Sequence, residues 1–278
     1  TPHIILGEHM GLSGILDIVQ ESPTYQGALA TLASASNGAG PLHITVPDAA
    51  RSYLIACLCR DLHRTVLLIT AKPGDADRLS DELATIFSGT DGTADDSSFQ
   101  VLRLPESEAL PYERLAEDAA VSHGRLRVLS ALLEQQGKNS TPSASKSSPK
   151  SDSHKEKGQG LALVGSVAAL AQRMLRPNEF EDATHDLAIG QHVQIGPLLA
   201  QWSAMGYVLE ATVEVPGTAS RRGGILDIFP PSESQPVRIE LFGDTIEDIR
   251  PFDPLTQRSS PTIHHITISP ALDHRGTL

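Results

Sequence analysis

The chain has 278 residues, 40% hydrophobic and 20% charged, which excludes wholesale disorder and allows one large or two ordinary packed domains. Aromatic residues make up only 4%, so the core falls to Leu, Ile, Val and Ala. With 22 Lys+Arg against 34 Asp+Glu the net charge is -12, which argues against a general binder of duplex DNA while leaving local basic patches open.

In chain order, Thr1 to Gln20 is expected as a lead-in helix, with Ile15, Leu16 and Val19 among its periodic apolar positions. A Gly/Ser-rich link, Ala33 to Gly40, follows. Strand-like and helix-like segments then alternate. Leu42 to Val46, Thr65 to Thr70, Phe99 to Leu104 and Leu161 to Gly165 read as strands. Ala49 to Leu62, Asp75 to Phe87, Ser122 to Leu133 and Ser166 to Leu175 read as helices, the last capped by Ser166. Four such alternations predict an α/β lobe with a parallel sheet covered on both faces. Gln136 to Gly160, rich in Ser and Lys, holds one aliphatic side chain, Ala144. It cannot bury enough apolar surface to offset its ordering entropy and is expected as a disordered insertion.

Beyond Pro177 the texture changes. One short helix, Leu198 to Met205, precedes strand-like segments at Tyr207 to Val215, Gly223 to Phe229, Pro236 to Phe242, Thr245 to Phe252 and Thr262 to Ser269. Their spacing and intervening turn residues predict an antiparallel meander, with Gly243-Asp244 as a tight hairpin turn. The expected organisation is a lobe over 1–178 with the insertion at 136–160, a smaller α+β domain over 179–260, and a return strand toward the first lobe within 261–278.

TVPDAARS, Thr45 to Ser52, occupies the strand-to-helix position of a phosphate-binding loop, G-x-x-x-x-G-K-[ST]. Thr45 and Ala50 stand where the pattern needs glycines, Arg51 replaces Lys, and Ser52 alone is in register. Pro47 removes an N–H donor, and Asp48 adds negative charge where polyphosphate would lie. The strand Leu161 to Val164 ends without an acid for Mg²⁺. Ile225-Leu226-Asp227 does offer hydrophobic residues followed by an acid, but Asp227 reads as the outward residue of a meander strand. The expectation is a degenerate loop with no catalytic residue, metal or cofactor. Glu106 with Glu108 and Asp95 with Asp96 read as loop carboxylates, and the eleven His show no metal spacing. Cys57 and Cys59, two apart on a helix, read as buried free thiols. The apolar run Tyr53 to Cys59 is too short to span a bilayer, and no leader is apparent. A soluble cytoplasmic protein without membrane contact is expected.

RRGGILDIFPP, Arg221 to Pro231, and PVRIELFGDTIEDIRPFD, Pro236 to Asp253, together resemble the second domain of the UvrB-like module. That module occurs in the excinuclease protein UvrB and at the N-terminus of bacterial transcription-repair coupling factors. EALPY, Glu108 to Tyr112, and SHGRL, Ser122 to Leu126, are similar to the coupling factors. So is the decayed loop, since UvrB needs a working one and also carries an aromatic-rich hairpin that has no counterpart here. The resemblance covers nearly the whole chain apart from 136–160.

It implies a degenerate RecA/P-loop-like scaffold lobe and a docking domain for the damage sensor UvrA. The parent is implied to be an ATP- and Mg-dependent DNA translocase whose motor and RNA polymerase contacts lie outside this chain. The docking residues that carry over are Arg222, Phe229, Arg238 and Glu240, with Arg221 as a further candidate. Ser220 stands where UvrB has arginine, and Val208 where some coupling factors do. Phe229 reads equally as a core residue or an interface anchor, and Arg238 with Glu240 also reads as a solvated polar strand face. The alternatives carried forward are a nucleotide-binding, DNA-handling module like UvrB itself, and a DNA-binding module.

Overall fold

A computed structural model describes residues 13–34, 40–62, 64–88, 99–107, 119–139 and 160–273. In chain order the elements are α1 (Ser13–Gln20), α2 (Pro23–Ser34), α3 (Asp48–Leu62), β1 (Val66–Thr70), α4 (Pro73–Ser88), β2 (Phe99–Leu104), α5 (Ala119–Asn139), β3 (Gly160–Ser166) and α6 (Val167–Ala171). They continue as α7 (Pro177–Ala183), β4 (His185–Ala188), α8 (Ile195–Ala204), β5 (Val208–Leu209), β6 (Thr218–Arg222), β7 (Ile225–Ile228), β8 (Val237–Phe242), β9 (Thr245–Pro251) and β10 (His265–Ile268). The chain forms two compact units, one built from residues up to Leu104 with 146–170, the other from 105–145 with the rest of the chain from Ala171.

The first unit is a parallel three-stranded sheet, ordered β1-β3-β2, with helices packed on it. β3 takes the centre because LALVG is apolar at nearly every position, as a strand buried on both faces requires. Gly160 lies against the Phe99 ring, where a Cβ would come within 2.2 Å, and Phe99 in turn stacks on Phe87 at 4.7 Å. Asp61 of α3 ties in the two leading helices, accepting hydrogen bonds from Gln20 Nε2 (2.7 Å) and Tyr25 Oη (2.5 Å). Cys57 and Cys59 are free and buried, and burial pushes their thiols up to about 11 and about 12.

Several expectations need correction here. Leu42 to Val46 is not a strand: it is mostly exposed coil, bounded by Pro41 and Pro47, and pairs with no strand among the described residues. α2 has no counterpart among the expected helices, because its Ala-rich sequence has little amphipathic contrast. The helix after β3 is short, ending at Ala171, although Ser166 Oγ does accept the Ala169 N–H (2.9 Å) as a cap should. The expected insertion falls mainly on residues 140–159, outside the described residues, as do Thr1 to Leu12, Asp95, Asp96 and Glu108. Gln136–Asn139 belong to the last turn of α5.

The second unit has a five-stranded sheet, ordered β5-β6-β7-β8-β9, antiparallel except where β5 meets β6. One face packs on Trp202 and Leu198 of α8 through Leu226, Ile228, Ile239, Ile246 and Ile249. Gly243-Asp244 makes the expected two-residue turn, with Gly243 at φ 61°. The segment expected to close the meander, within Thr262 to Ser269, instead supplies β10, which pairs antiparallel with β4. β10 itself pairs within the second unit, and just beyond it Asp273 meets Ser122 and Arg125 of α5, a helix that the expected lobe over 1–178 included and that the structure places in the second unit. Tyr207 to Val215 contributes only the two residues of β5, and β6 takes the place beside it.

Candidate docking face

β6 and β7 are joined through Gly223-Gly224. Arg222 pairs with Ile225, and Gly223 sits at φ 64°, as a two-residue hairpin requires. Gly224 has a second constraint, since a Cβ there would lie 2.9 Å from the Leu241 carbonyl oxygen. The glycine pair beside the arginines is thus explained by the turn and the neighbouring strand.

The register then aligns side chains across the sheet. Ser220, Asp227, Arg238 and Arg250 are successive partners on β6 to β9, and Arg222, Ile225, Glu240 and Asp248 form the next row. Alternation puts both rows on the face opposite the Leu226 and Ile228 core. Asp227 lies at the centre and is buried rather than outward in the sense of solvated, its side chain only 2% exposed. Arg238 clasps it with both arms of its fork, Nε to Oδ1 at 2.7 Å and Nη2 to Oδ2 at 2.9 Å. Arg222 adds Nη2 to Oδ2 at 2.6 Å. The hydrogen bond to Asp227 holds the Arg238 guanidinium above its ordinary pKa.

Beneath this cluster is a small apolar base of Val213, Phe229 and Phe252. The Arg238 guanidinium lies 4.7 Å from the Phe252 ring centroid, a cation–π contact. Phe229 is buried in that base. Arg238 is 17% exposed and committed inward, whereas Arg222 is 54% exposed and presents most of its side chain to solvent. Glu240 is half-buried opposite Asp248, which pairs with Arg250 and accepts a hydrogen bond from Thr262 Oγ1 at 2.9 Å.

The structure therefore brings Arg222, Arg238 and Glu240 to one face and leaves Phe229 underneath. Arg221 alternates to the other face, and its Nε donates to the Gly223 carbonyl at 3.2 Å. Ser220 is buried, with Oγ donating to the Ala211 carbonyl at 3.1 Å, and Val208 is exposed. Sequence reasoning missed Phe252 and Gln257, which support Arg238. It also misjudged Asp227, because alternation gives the face a residue points to and not what covers that face.

In the first unit, Asp48 opens α3, so Thr45 to Pro47 precede the helix and Ala50 to Ser52 lie in its first turns. Arg51 Nη2 meets Asp48 Oδ1 at 2.5 Å. Ser52 is buried, and its hydroxyl donates to Glu82 Oε2 of α4 at 2.6 Å. A groove beside this turn is lined by Asp48, Asp75 and Glu82 with Arg51 and Arg78. In the second unit, a cleft of about 970 Å³ is lined by residues that include Glu134, His185, Glu233 and His264. Burial and the nearby Glu134 carboxylate raise the pKa of Glu233. Among the described residues no group of three or more His, Cys, Asp or Glu is placed to hold a metal ion. Among them, too, no helix is long and apolar enough to cross a membrane.

The sheet with its braced, half-exposed Arg222 lies within residues 186–274, which match the family model of the UvrB interaction domain. The wider chain is similar to transcription-repair-coupling factors. It is 34% identical to that of Myxococcus xanthus over 226 residues, 80% of this chain and 16% of the relative. It is 29% identical to that of Bacillus subtilis over 224 residues, 80% of this chain and 16% of the relative. Against the Mycobacterium tuberculosis protein it is 28% identical over 257 residues, 91% and 18%. The chain is a module of the transcription-repair-coupling-factor family that carries a UvrB interaction domain. It spans under a fifth of the length of these relatives.

Proposed function

We propose that the second unit recruits UvrA in transcription-coupled excision repair, and that Arg222 is its leading contact. The observation that carries this reading is the half-exposed Arg222 guanidinium anchored on buried Asp227, within a UvrB interaction domain. The anchor limits the side-chain freedom that a charged contact must otherwise give up on binding. Arg238 acts mainly as a positioning residue, and Phe229 acts beneath it through Phe252. Glu240 lies at the rim.

The first unit is a non-catalytic, cofactor-free scaffold in this reading. Its Ser52 hydroxyl faces a carboxylate at the position where a phosphate loop offers one to Mg²⁺. Translocation on DNA and contact with RNA polymerase belong to parts of the parent protein beyond this chain.

Titration of UvrA into the purified chain tests the proposal. Arg222→Glu is expected to weaken binding at least roughly tenfold. Wild-type affinity of that variant at low and moderate salt would overturn the reading.

A further inference from the structure

We propose that the turn after β9 presents Leu255 as an apolar anchor for the partner that Arg222 engages, fitting a socket flanked by a carboxylate. This rests on the docking reading above and deepens it.

Leu255 is 91% exposed, so it contributes almost nothing to the core. Yet the turn that carries it is closely fixed. Asp253 Oδ1 accepts the backbone N–H of Leu255 at 2.7 Å and of Thr256 at 2.9 Å, and those two bonds hold its carboxyl below the usual range. The Gln257 N–H donates to the Asp253 carbonyl at 2.8 Å, and the Asp253 N–H to that of Arg258 at 3.0 Å. Gln257 adopts φ 59°, a left-handed conformation that costs a residue with a Cβ, and its Nε2 donates to the Pro254 carbonyl at 2.8 Å.

The turn is also tied to the arginine cluster. Gln257 Oε1 accepts from Arg238 Nη2 at 3.4 Å, and Arg238 shares Asp227 with Arg222. Phe252, the residue before Asp253, is the ring under the Arg238 guanidinium. Arg222, Asp227, Arg238, Gln257 and Pro254 thus form one chain of contacts ending beside Leu255. A lone exposed Leu is ordinary on a protein surface. A Leu held out on a braced turn, linked through named contacts to a half-exposed arginine, has the make-up of an interface anchor: an apolar side chain on a backbone that is already ordered, beside a charge that fixes orientation. The face also carries Glu240 and Asp248, so the complementary charge is a local carboxylate opposite Arg222 rather than a broadly acidic surface.

The test uses the full chain and purified UvrA, with affinity measured at low and moderate salt and melting followed in parallel. Leu255→Asp is expected to weaken binding roughly tenfold or more, and Leu255→Ala by a smaller factor. Leu255→Met should restore most of the affinity. The Leu255→Ala loss should be nearly independent of salt, whereas the Arg222→Glu loss should shrink as salt rises. Melting should not move for any Leu255 variant. If Leu255→Asp binds like the unmodified chain while Arg222→Glu is weakened, the anchor is wrong and the docking face stands. If neither variant loses affinity, or the unmodified chain fails to bind, the docking face is wrong and the anchor falls with it.

Discussion

The second unit holds two arginine–aspartate clusters, each built on a buried carboxylate, that differ in whether an arginine reaches solvent. Arg125 of α5 is fully committed. Its Nε meets Asp273 Oδ2 at 2.6 Å, Nη1 meets the Pro105 carbonyl and Gln172 Oε1, each at 3.2 Å, and Nη2 meets the Arg173 carbonyl at 2.6 Å. Both members of the pair are buried. Around Asp227 the carboxylate is buried, but one of its two cations reaches solvent. The first arrangement joins α5 to three other stretches of chain and offers nothing to a partner. The second offers an arginine whose position is already fixed. What separates a committed arginine from an available one here is therefore how many of its donors are already used.

Removing Arg125 should have the largest effect on stability. Arg125→Ala leaves Asp273 and two backbone carbonyls without their buried donor, for a cost of about 3–5 kcal/mol. Denaturant unfolding measures this directly. A loss under about 1 kcal/mol would mean that the pair is not buried in solution. Replacing both members together, Arg125→Met with Asp273→Leu, should recover part of the loss, because no uncompensated charge remains.

A middle-sized effect is expected at Asp227. Asp227→Ala takes the shared acceptor from Arg238, which is largely buried, and should cost roughly 2–3 kcal/mol. Arg222→Ala should cost under about 1 kcal/mol, since that side chain is half solvated and Arg238 still neutralises Asp227. Equal losses from the two substitutions would erase the distinction between a committed and an available arginine.

Much of this is legible in the sequence, and the gaps have physical causes. β3 announces itself as an unbroken apolar run and the β8–β9 turn as Gly243-Asp244. β6, TASRR, has too little apolar content to register as a strand and is held in place by its neighbours on either side. Leu42 to Val46 has strand-like residues, but strand propensity forms no strand without a paired edge. Arg222 and Arg238 are placed by resemblance, and their sharing of one face follows from strand alternation. Their sharing of Asp227 depends on register across three strands, which no local pattern fixes. SHGRL serves in the sequence only as a mark of family likeness, yet its Arg125 makes four hydrogen bonds in the second unit's core.

A committed donor can also be sensitive to pH. Trp202 Nε1–H donates to His185 Nε2 at 3.2 Å, which requires that nitrogen to be unprotonated. Burial lowers the His185 pKa, and Asp186 partly opposes the shift. The folded protein therefore binds fewer protons here than the unfolded chain. The contribution is complete above the unfolded value of about 6.5 and is lost as pH falls below it. Melting temperature should decline from pH 7 toward pH 5, and His185→Gln, which keeps an acceptor but does not titrate, should flatten part of that slope. An unchanged slope in the variant would assign the decline to other groups.

The smallest expected effect is none, and it concerns the first unit. Thr45→Gly, Ala50→Gly and Arg51→Lys together write the phosphate-loop pattern back into Thr45 to Ser52. ATPase activity should nevertheless stay at background. The Ser52 hydroxyl is still bonded to Glu82, Pro47 still lacks an N–H, and Asp48 still places negative charge at the start of α3. Adding Glu82→Gln removes the carboxylate that holds Ser52, so the quadruple variant is the sharper test: if it too is silent, the loss lies in the whole site and not in one misdirected hydroxyl. Clear turnover by the triple variant, measured as phosphate release above the unmodified chain, would show that Ser52 is available after all. The contrast between committed and available donors would then fail in the first unit even if it held in the second.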